Sequence, residues 1–121
     1  MISEVSMSEL DALIAKIKQF SLDRNWEQFH APKNVAMALS VEVGELLEEF
    51  QWLTCEESEA IGEGRKARVR DEVGDVFIYL LDLCDRLGID PVRAAEDKMV
   101  KNAVKYPVQE ARGNARKYAE F

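Results

Sequence analysis

The sequence predicts an all-α protein, a four-helix bundle protomer. Apolar residues recur at three- and four-residue spacing along four long segments, which is the pattern of amphipathic helices. Residues that start or stop helices bound these segments, as do Ser8, Gly88 and the pair Asp90-Pro91. No segment shows the apolar–polar alternation of a half-buried strand. We therefore expect one helical domain over residues 1–121.

The positions of the apolar residues place the individual elements. Helices are expected over about residues 8–23, 34–53, 65–87 and 90–105, and the tail, 106–121, has a periodicity too weak to assign. Residues 25–32 should form an ordered loop, because Pro32 disfavours helix at Ala31. Residues 54–64 are rich in Glu, Ser and Gly, which predicts a solvent-facing, mobile loop.

Composition restricts the partners that this chain can have. A formal net charge of −7 repels the backbone of a nucleic-acid polymer, so no such partner is expected. A small anionic ligand is compatible with this charge if a divalent cation lies between the ligand and the carboxylates. The N-terminus does not resemble a secretory signal, and the apolar run 76–81 is too short to cross a bilayer. We expect a cytoplasmic protein without membrane contact, in which Cys55 and Cys84 are reduced.

Two of the predicted helices carry acidic residues at helical spacing. The acids follow one flank of each helix: Glu42, Glu45 and Glu49 on the second, and Glu72, Asp75 and Asp82, with Tyr79, on the third. Solvated helices carry such acids routinely, and this interpretation stays open. If the two helices pack side by side, four carboxylates converge, and their repulsion requires a cation. Oxygen-rich acidic sites are those that Mg²⁺ or Mn²⁺ selects.

The third helix is apolar around most of its circumference. Its predicted core stripe is Val69, Val73, Val76, Leu80, Leu83 and Leu87. The opposite side carries Phe77, Ile78 and Leu81. A helix that is apolar on both sides is buried on both sides. We therefore expect helix one or a second subunit to cover it, and we expect self-association.

The acidic segments resemble a known motif. Residues 42–45, Glu-Val-Gly-Glu, and residues 71–75, Asp-Glu-Val-Gly-Asp, are similar to the motif of the MazG-like, all-α nucleotide pyrophosphohydrolases. That motif is Glu-Glu-x-x-Glu on one helix and Glu-x-x-Asp on the next. Val41 replaces the first acid, as in the branch that contains the dCTP pyrophosphatases. The resemblance extends from about Leu10 through the tail residues Arg116-Lys117-Tyr118.

The resemblance implies a function and a role for each site residue. The implied reaction is the Mg²⁺-dependent hydrolysis of a (deoxy)nucleoside triphosphate, dCTP or a modified dCTP, to the monophosphate and pyrophosphate, with Mn²⁺ as an alternative metal. The implied protein is a homo-oligomer, either a dimer or a tetramer. The implied site consists of Glu42, Glu45, Glu72 and Asp75 as metal ligands, Glu42 or Glu45 as general base, Trp26, His30 and Trp52 around the base, Tyr79 and Asn102 as polar contacts, and Lys98 and Tyr106 at the phosphates.

The fourth helix carries three of these residues on one side. Lys98, Asn102 and Tyr106 recur every four residues, on the side of Ala95 and Met99, which predicts that they face inward. A lysine that faces inward needs an anion as its partner, either a phosphate or a carboxylate.

Other interpretations of these residues remain open at this stage. Trp26 and Trp52 are equally explained as core residues, and His30 as a loop residue that bonds to the backbone. A di-iron carboxylate bundle is excluded, because it needs Glu-x-x-His on two helices and the chain has one histidine. A non-catalytic helical interaction or nucleotide-sensing module is the rival function. The sequence does not decide the preferred nucleotide, nor between removal of modified nucleotides and control of dCTP.

Overall fold

In the computed structural model, which describes residues 8–117 and Ala119, every regular element is helical. The elements are α1 (Glu9–Asp23), a 3₁₀ turn (Glu27–Phe29), α2 (Pro32–Glu48), α3 (Cys55–Glu59), α4 (Glu63–Leu87), α5 (Pro91–Lys105) and α6 (Val108–Ala111). The prediction of an all-α fold is confirmed. Tyr118, part of the tail that resembles the family, lies outside the described residues, as do residues 1–7.

Local chemistry sets the ends of the long helices. The Ser8 hydroxyl oxygen accepts a hydrogen bond from the Asp11 backbone N–H at 3.0 Å, which satisfies a free donor of α1. Asp90 caps α5 in the same way, ahead of Pro91 at the first helical position. Gly88 ends α4 with a φ of 66°, a left-handed conformation that glycine adopts without a steric cost. These predicted boundaries are confirmed.

The segment between the second and third predicted helices differs from the prediction. Helix α2 begins at Pro32 and ends at Glu48, ahead of the predicted end at residue 53. The predicted mobile loop contains α3, which opens with a capping box. The Thr54 hydroxyl accepts from the Glu57 N–H at 3.0 Å, and a Glu57 carboxylate oxygen accepts from the Thr54 N–H at 2.8 Å. These two bonds satisfy donors that otherwise disfavour so short a helix.

The described residues up to Gly88 form one compact unit, in which α4 packs against both α1 and α2. Its most buried apolar residues are Ile17, Val35, Leu81 and Cys84. Leu81 is fully buried, whereas Val73, on the predicted core stripe of α4, is half exposed. The burial of Leu81 confirms that the side opposite the predicted stripe is covered at this residue, whereas the predicted stripe is wrong at Val73.

The residues from Ile89 onward form a second compact unit with α5 and α6. The side of α5 that was predicted to face inward is exposed: Met99 is 71% exposed, and Lys98 and Asn102 are exposed as well. Tyr106 is half-buried. The inward orientation is thus wrong for the first two polar residues, because helical projection identifies a shared side but not what covers it. None of the described helices is both long enough and apolar enough to span a membrane.

Candidate active site

Helices α2 and α4 bring acidic side chains from distant parts of the chain together. Glu42 and Glu45 from α2 and Glu72 from α4 each place one carboxylate oxygen so that the three oxygens lie within 4.8 Å of one another. The condition set by the sequence, that these helices pack side by side, is met. We call these three residues the carboxylate cluster. Glu42 and Glu72 are half-buried, and Glu45 is exposed.

Burial and electrostatic repulsion within the cluster raise the pKa of two of its members. Burial, the hydrogen bond with Glu45 and the charges of Glu45, Asp75 and Glu72 raise the pKa of Glu42 to about 7. Burial and the charge of Glu45 also raise the pKa of Glu72. One oxygen of each, Oε2, is enclosed and has no hydrogen-bond partner among the described residues. In the part of the chain that the structure describes, these two residues form no ion pair with lysine or arginine.

These properties fit a divalent metal ion. Carboxylate oxygens are the ligands that Mg²⁺ and Mn²⁺ prefer. The Oε2 atoms of Glu42 and Glu72, which have no hydrogen-bond partner among the described residues, are available to coordinate such an ion. Exposed acids alone would not support this interpretation, because they are common on helix surfaces without any ion. Asp75, the fourth predicted ligand, lies outside the group of three, although its charge raises the pKa of both Glu42 and Glu72. Its role as a ligand stays a prediction.

A third acid of α2 differs from the cluster in its surroundings. Glu49 Oε1 lies 3.1 Å from Arg68 Nε and 3.5 Å from Arg65 Nη1. The sequence places Glu49 on the same flank as Glu42 and Glu45. Two guanidinium groups therefore compensate Glu49, although its charge still adds to the rise in the pKa of Glu72.

A cavity of about 370 Å³ lies along α4, the helix that carries Glu72. Its walls come from α1, the loop before α2, and α4: they are formed by Leu13, Lys16, Ile17, Phe20, Ser21, Trp26, His30, Asp75, Ile78, Tyr79 and Asp82. This volume is within the range of small-molecule sites, and the lining is apolar with a few polar groups, as such sites usually are. Asp75 connects the two features, since it lines the cavity and also acts electrostatically on the cluster.

Aromatic rings form one side of the cavity. The Trp26 ring lies 5.8 Å from that of Phe20, at an interplanar angle of 66°, and 6.2 Å from that of His30. The chain holds Trp26 here by a hydrogen bond from its backbone N–H to the Ser21 carbonyl at 3.0 Å. Asn25, with a φ of 55°, makes the sharp turn just before it. The cavity therefore offers flat faces on which a planar ring can stack.

An ion-pair network lies at another side of the cavity. Arg86 donates from Nε to Asp82 Oδ1 at 2.8 Å and from Nη2 to Glu27 Oε1 at 2.9 Å. His30 Nδ1 lies 3.6 Å from Asp82 Oδ2. The sequence singled out Asp82 as an acid of this flank but missed Arg86 and Glu27. The i,i+4 spacing of Asp82 and Arg86 is a visible signal, whereas nothing in the pattern joins Arg86 to Glu27, 59 residues away.

Of the other predicted site residues, one lines the cavity and the rest do not. Tyr79 lines the cavity, where burial and the nearby charges of Glu42, Asp75 and Asp82 raise its pKa. Trp52 is 86% exposed and is not part of the cavity wall, so the core interpretation of this tryptophan is wrong. Lys98, Asn102 and Tyr106 belong to the second unit, and their role in the site stays a prediction.

Known proteins match this chain over most of its length. Residues 37–121 match the MazG-like family. The chain is 43% identical to dCTP pyrophosphatase 1 of Rattus norvegicus over 105 residues, covering 85% of this chain and 62% of that protein. It is 40% identical to dCTP pyrophosphatase 1 of Bos taurus over 121 residues, covering 98% of this chain and 70% of that protein.

A solved structure is similar over most of its length as well. The crystal structure of a pyrophosphatase from Archaeoglobus fulgidus DSM 4304 superposes with a TM-score of 0.80 and 42% identity, over 86% of this chain and 97% of that one. The chain spans about 62% of the length of the rat protein, so the agreement concerns the helical region that they share. The match covers most of this chain and includes the carboxylate cluster on α2 and α4: the chain belongs to the MazG-like family.

Proposed function

We propose that this protein is a nucleoside triphosphate pyrophosphohydrolase. It hydrolyses dCTP or a modified dCTP to the monophosphate and pyrophosphate, with Mg²⁺ as cofactor and Mn²⁺ as an alternative. The choice of dCTP rests on the name of the rat and bovine relatives, dCTP pyrophosphatase 1. Such an activity would serve either the control of dCTP or the removal of modified nucleotides.

The observation that carries the proposal is that Asp75 lines the cavity and also acts electrostatically on the carboxylate cluster. A nucleoside triphosphate has a planar apolar ring at one end and a chain of anionic phosphates at the other. The cavity offers Trp26 and His30 to the ring, and the cluster offers acidic oxygens to a metal that binds phosphates. Asp75 lies where the two features meet.

The residues of the chain would divide the work of the reaction. Glu42, Glu45, Glu72 and Asp75 would hold the metal, which supplies positive charge to bind the phosphates and stabilise the leaving pyrophosphate. The aromatic side of the cavity would orient the nucleotide, so that its α-phosphorus lies beside the cluster. Tyr79, between the cluster and the cavity, would donate a hydrogen bond, because its raised pKa keeps the hydroxyl protonated.

Hydrolysis needs a proton acceptor next to the attacking water. The water oxygen forms a bond to the α-phosphorus, and the bond from that phosphorus to the oxygen bridging to the β-phosphate breaks. The leaving group is pyrophosphate, and the proton of the water passes to a carboxylate. Glu42 or Glu45 would accept this proton.

The resemblance implies that residues of α5 contact the phosphates. The pKa of Lys98 is lowered, first by the charge of Lys105 and by the hydrogen bond with it, then by desolvation and by the charge of Lys101. An anion bound beside these lysines would relieve their repulsion. Lys98 and Tyr106 would therefore contact phosphate oxygens, and Asn102 would make a polar contact, as the resemblance implies.

The apolar surface of the chain supports a homo-oligomer. Large apolar side chains remain exposed along several helices, among them Met37, Val41, Leu47, Val73, Met99, Val100 and Val104. Surfaces of this kind mark protein–protein contacts, because exposed apolar area is unfavourable in water. Pairing of copies through these surfaces, as a dimer or a tetramer, would cover them. Trp52, 86% exposed, would become part of the base site only in such an assembly.

The function is tested by the release of pyrophosphate from a panel of dCTP, 5-methyl-dCTP, dTTP, dATP and dGTP with Mg²⁺. We expect dCTP or its methylated form to give the highest kcat/KM, and chelation of the metal to stop the reaction. Glu45→Gln and Asp75→Asn should each lower kcat by about a hundredfold or more, because the metal loses a ligand.

Glu48→Gln is the matched control for these variants. Glu48 is an exposed acid on the same helix as Glu45, and its replacement should leave kcat unchanged. A protein that releases no pyrophosphate from any nucleotide would be the non-catalytic helical module instead. Near-normal turnover by Glu45→Gln at saturating Mg²⁺ would show that the metal is not held as proposed.

A further inference from the structure

Arg86 connects the two chain segments that form one side of the cavity. Its guanidinium makes a two-pronged contact with Glu27, with Nη2 to Oε1 at 2.9 Å and Nη1 to Oε2 at 3.3 Å. Its Nε donates to Asp82 Oδ1 at 2.8 Å on its own helix. The Arg86 side chain is 16% exposed, so these charges meet where little water screens them. Burial opposes its charge, but the hydrogen bond with Glu27 and the charge of Asp82 outweigh this effect and raise its pKa.

The segment that Arg86 holds is the one that carries the aromatic side of the cavity. Glu27 follows Trp26 directly and begins the 3₁₀ turn that ends just before His30. Trp26 and His30 line the cavity, but Glu27 and Arg86 do not. Glu27 points away from the cavity to reach Arg86, and Arg86 Nη2 lies 3.5 Å from His30 Nδ1. The Arg86 guanidinium therefore contacts residues that line the cavity but does not line it itself.

We propose that Arg86 is a positioning residue for nucleotide recognition. By holding Glu27 it fixes the 3₁₀ turn against α4, so that Trp26 and His30 present their rings to the base. This role rests on the function proposed above, because it assigns the cavity to the base of a nucleotide. Arg86 does not touch the nucleotide itself and acts only through Glu27 and Asp82.

The geometry favours this role over a general contribution to stability. A paired, buried charge often adds little net stability, because desolvation offsets the attraction, but its hydrogen bonds fix the orientation of the groups it joins. The backbone bond from Trp26 to Ser21 ties the turn to α1, whereas Arg86 ties it to α4. Two attachments on different helices define the position of a short turn better than one. Lysine could not replace Arg86, since an ammonium cannot make the same forked contact.

The test compares Arg86→Lys, Glu27→Gln and the double variant, assayed well below the melting temperature of each. We expect each single variant to raise KM for dCTP by about tenfold and to leave kcat within about threefold, because the rings that bind the base move while the carboxylate cluster stays intact. The double variant should raise KM no further than the single variants do, since both changes release the same contact. Arg93→Lys is the control: Arg93 forms an exposed pair with Asp97 at 3.3 Å, and KM should not change.

Two results would overturn the proposal. One is an unchanged KM for dCTP in a folded Glu27→Gln variant, which also decides the matter if Arg86→Lys fails to fold. The other is a double variant whose effect on KM equals the product of the two single effects, because independent contributions multiply. Failure of the unaltered protein to release pyrophosphate would contradict the proposed function instead, so the two failures are distinguishable.

Discussion

Helix α4 carries acids of two kinds on one flank. Glu72, near its middle, belongs to the carboxylate cluster and has an enclosed oxygen without a hydrogen-bond partner among the described residues. Asp82, less than three turns further along, is buried more deeply but is neutralised by Arg86 at 2.8 Å. The two residues share a residue class, a helix and a side of that helix. They differ in that Asp82 pairs with Arg86, whereas Glu72 pairs with no lysine or arginine among the described residues.

The difference separates an acid that stabilises the protein from an acid that is available to a ligand. Burial by itself does not separate them, because Asp82 is the more buried of the two. What distinguishes Glu42 and Glu72 is that neither forms an ion pair with a lysine or arginine among the described residues, and burial and repulsion raise the pKa of both. An unpaired group of this kind is unfavourable unless an ion supplied from solution binds there.

The largest expected difference in stability is between Asp82→Asn and Glu72→Gln, which should change the free energy of unfolding in opposite directions. Asp82→Asn removes a charged partner of a buried guanidinium and should lower the free energy of unfolding by about 2 kcal/mol. Glu72→Gln removes one of several repelling charges and should raise the stability of the metal-free protein. Chemical denaturation in the presence of a chelator measures both changes. If both variants are destabilised alike, compensation by Arg86 is not what separates the two acids.

The pH dependence of stability should show the same repulsion with a smaller effect. The pKa of Glu42 is about 7 in the folded protein, against an ordinary value of 4.5, so the folded state binds a proton that the unfolded chain releases. Stability of the metal-free protein should therefore fall between about pH 5 and about pH 8. Melting temperatures measured across this range test the direction. Glu42→Gln should flatten the dependence, and a rise in stability toward pH 8 that the variant abolishes would contradict the assignment.

The smallest effect is expected at Glu49, the compensated acid of α2. Its partner Arg68 is largely exposed, and exposed ion pairs contribute about 1 kcal/mol or less. Glu49→Gln should change the free energy of unfolding by no more than this amount. A large loss of stability would mean that the contacts of Glu49 with Arg65 and Arg68 organise this end of α2 and α4. Denaturant titration beside Glu48→Gln provides the comparison.

Much of the fold and part of the site could be predicted from the sequence. Apolar periodicity and capping residues such as Asp90 predict the long helices, because these are local properties. The same logic could have found α3, since Thr54 and Glu57 have the spacing of a capping box. The core side of α4 could not be deduced, because apolar residues surround this helix and only its neighbours decide which side is buried.

The candidate site also has features that the sequence predicts and features that only tertiary packing decides. The spacing of the acids on each helix is visible in the sequence, and their convergence was expected if the two helices pack side by side. The contact between Arg86 and Glu27 depends on tertiary packing alone, so no pattern could reveal it. The exposure of Trp52 and of the α5 side that carries Lys98 was missed for the same reason: a helical projection does not say what lies opposite.

The central claim is that uncompensated acids, and not acids in general, form the metal site. Calorimetric titration with Mn²⁺ tests it directly on the unaltered protein, Glu72→Gln and Glu49→Gln. We predict saturable binding of Mn²⁺ to the unaltered protein and to Glu49→Gln. The affinity of Glu72→Gln for Mn²⁺ should be lower by about tenfold or more. Equal affinity in all three proteins, or no saturable binding to the unaltered protein, would contradict it.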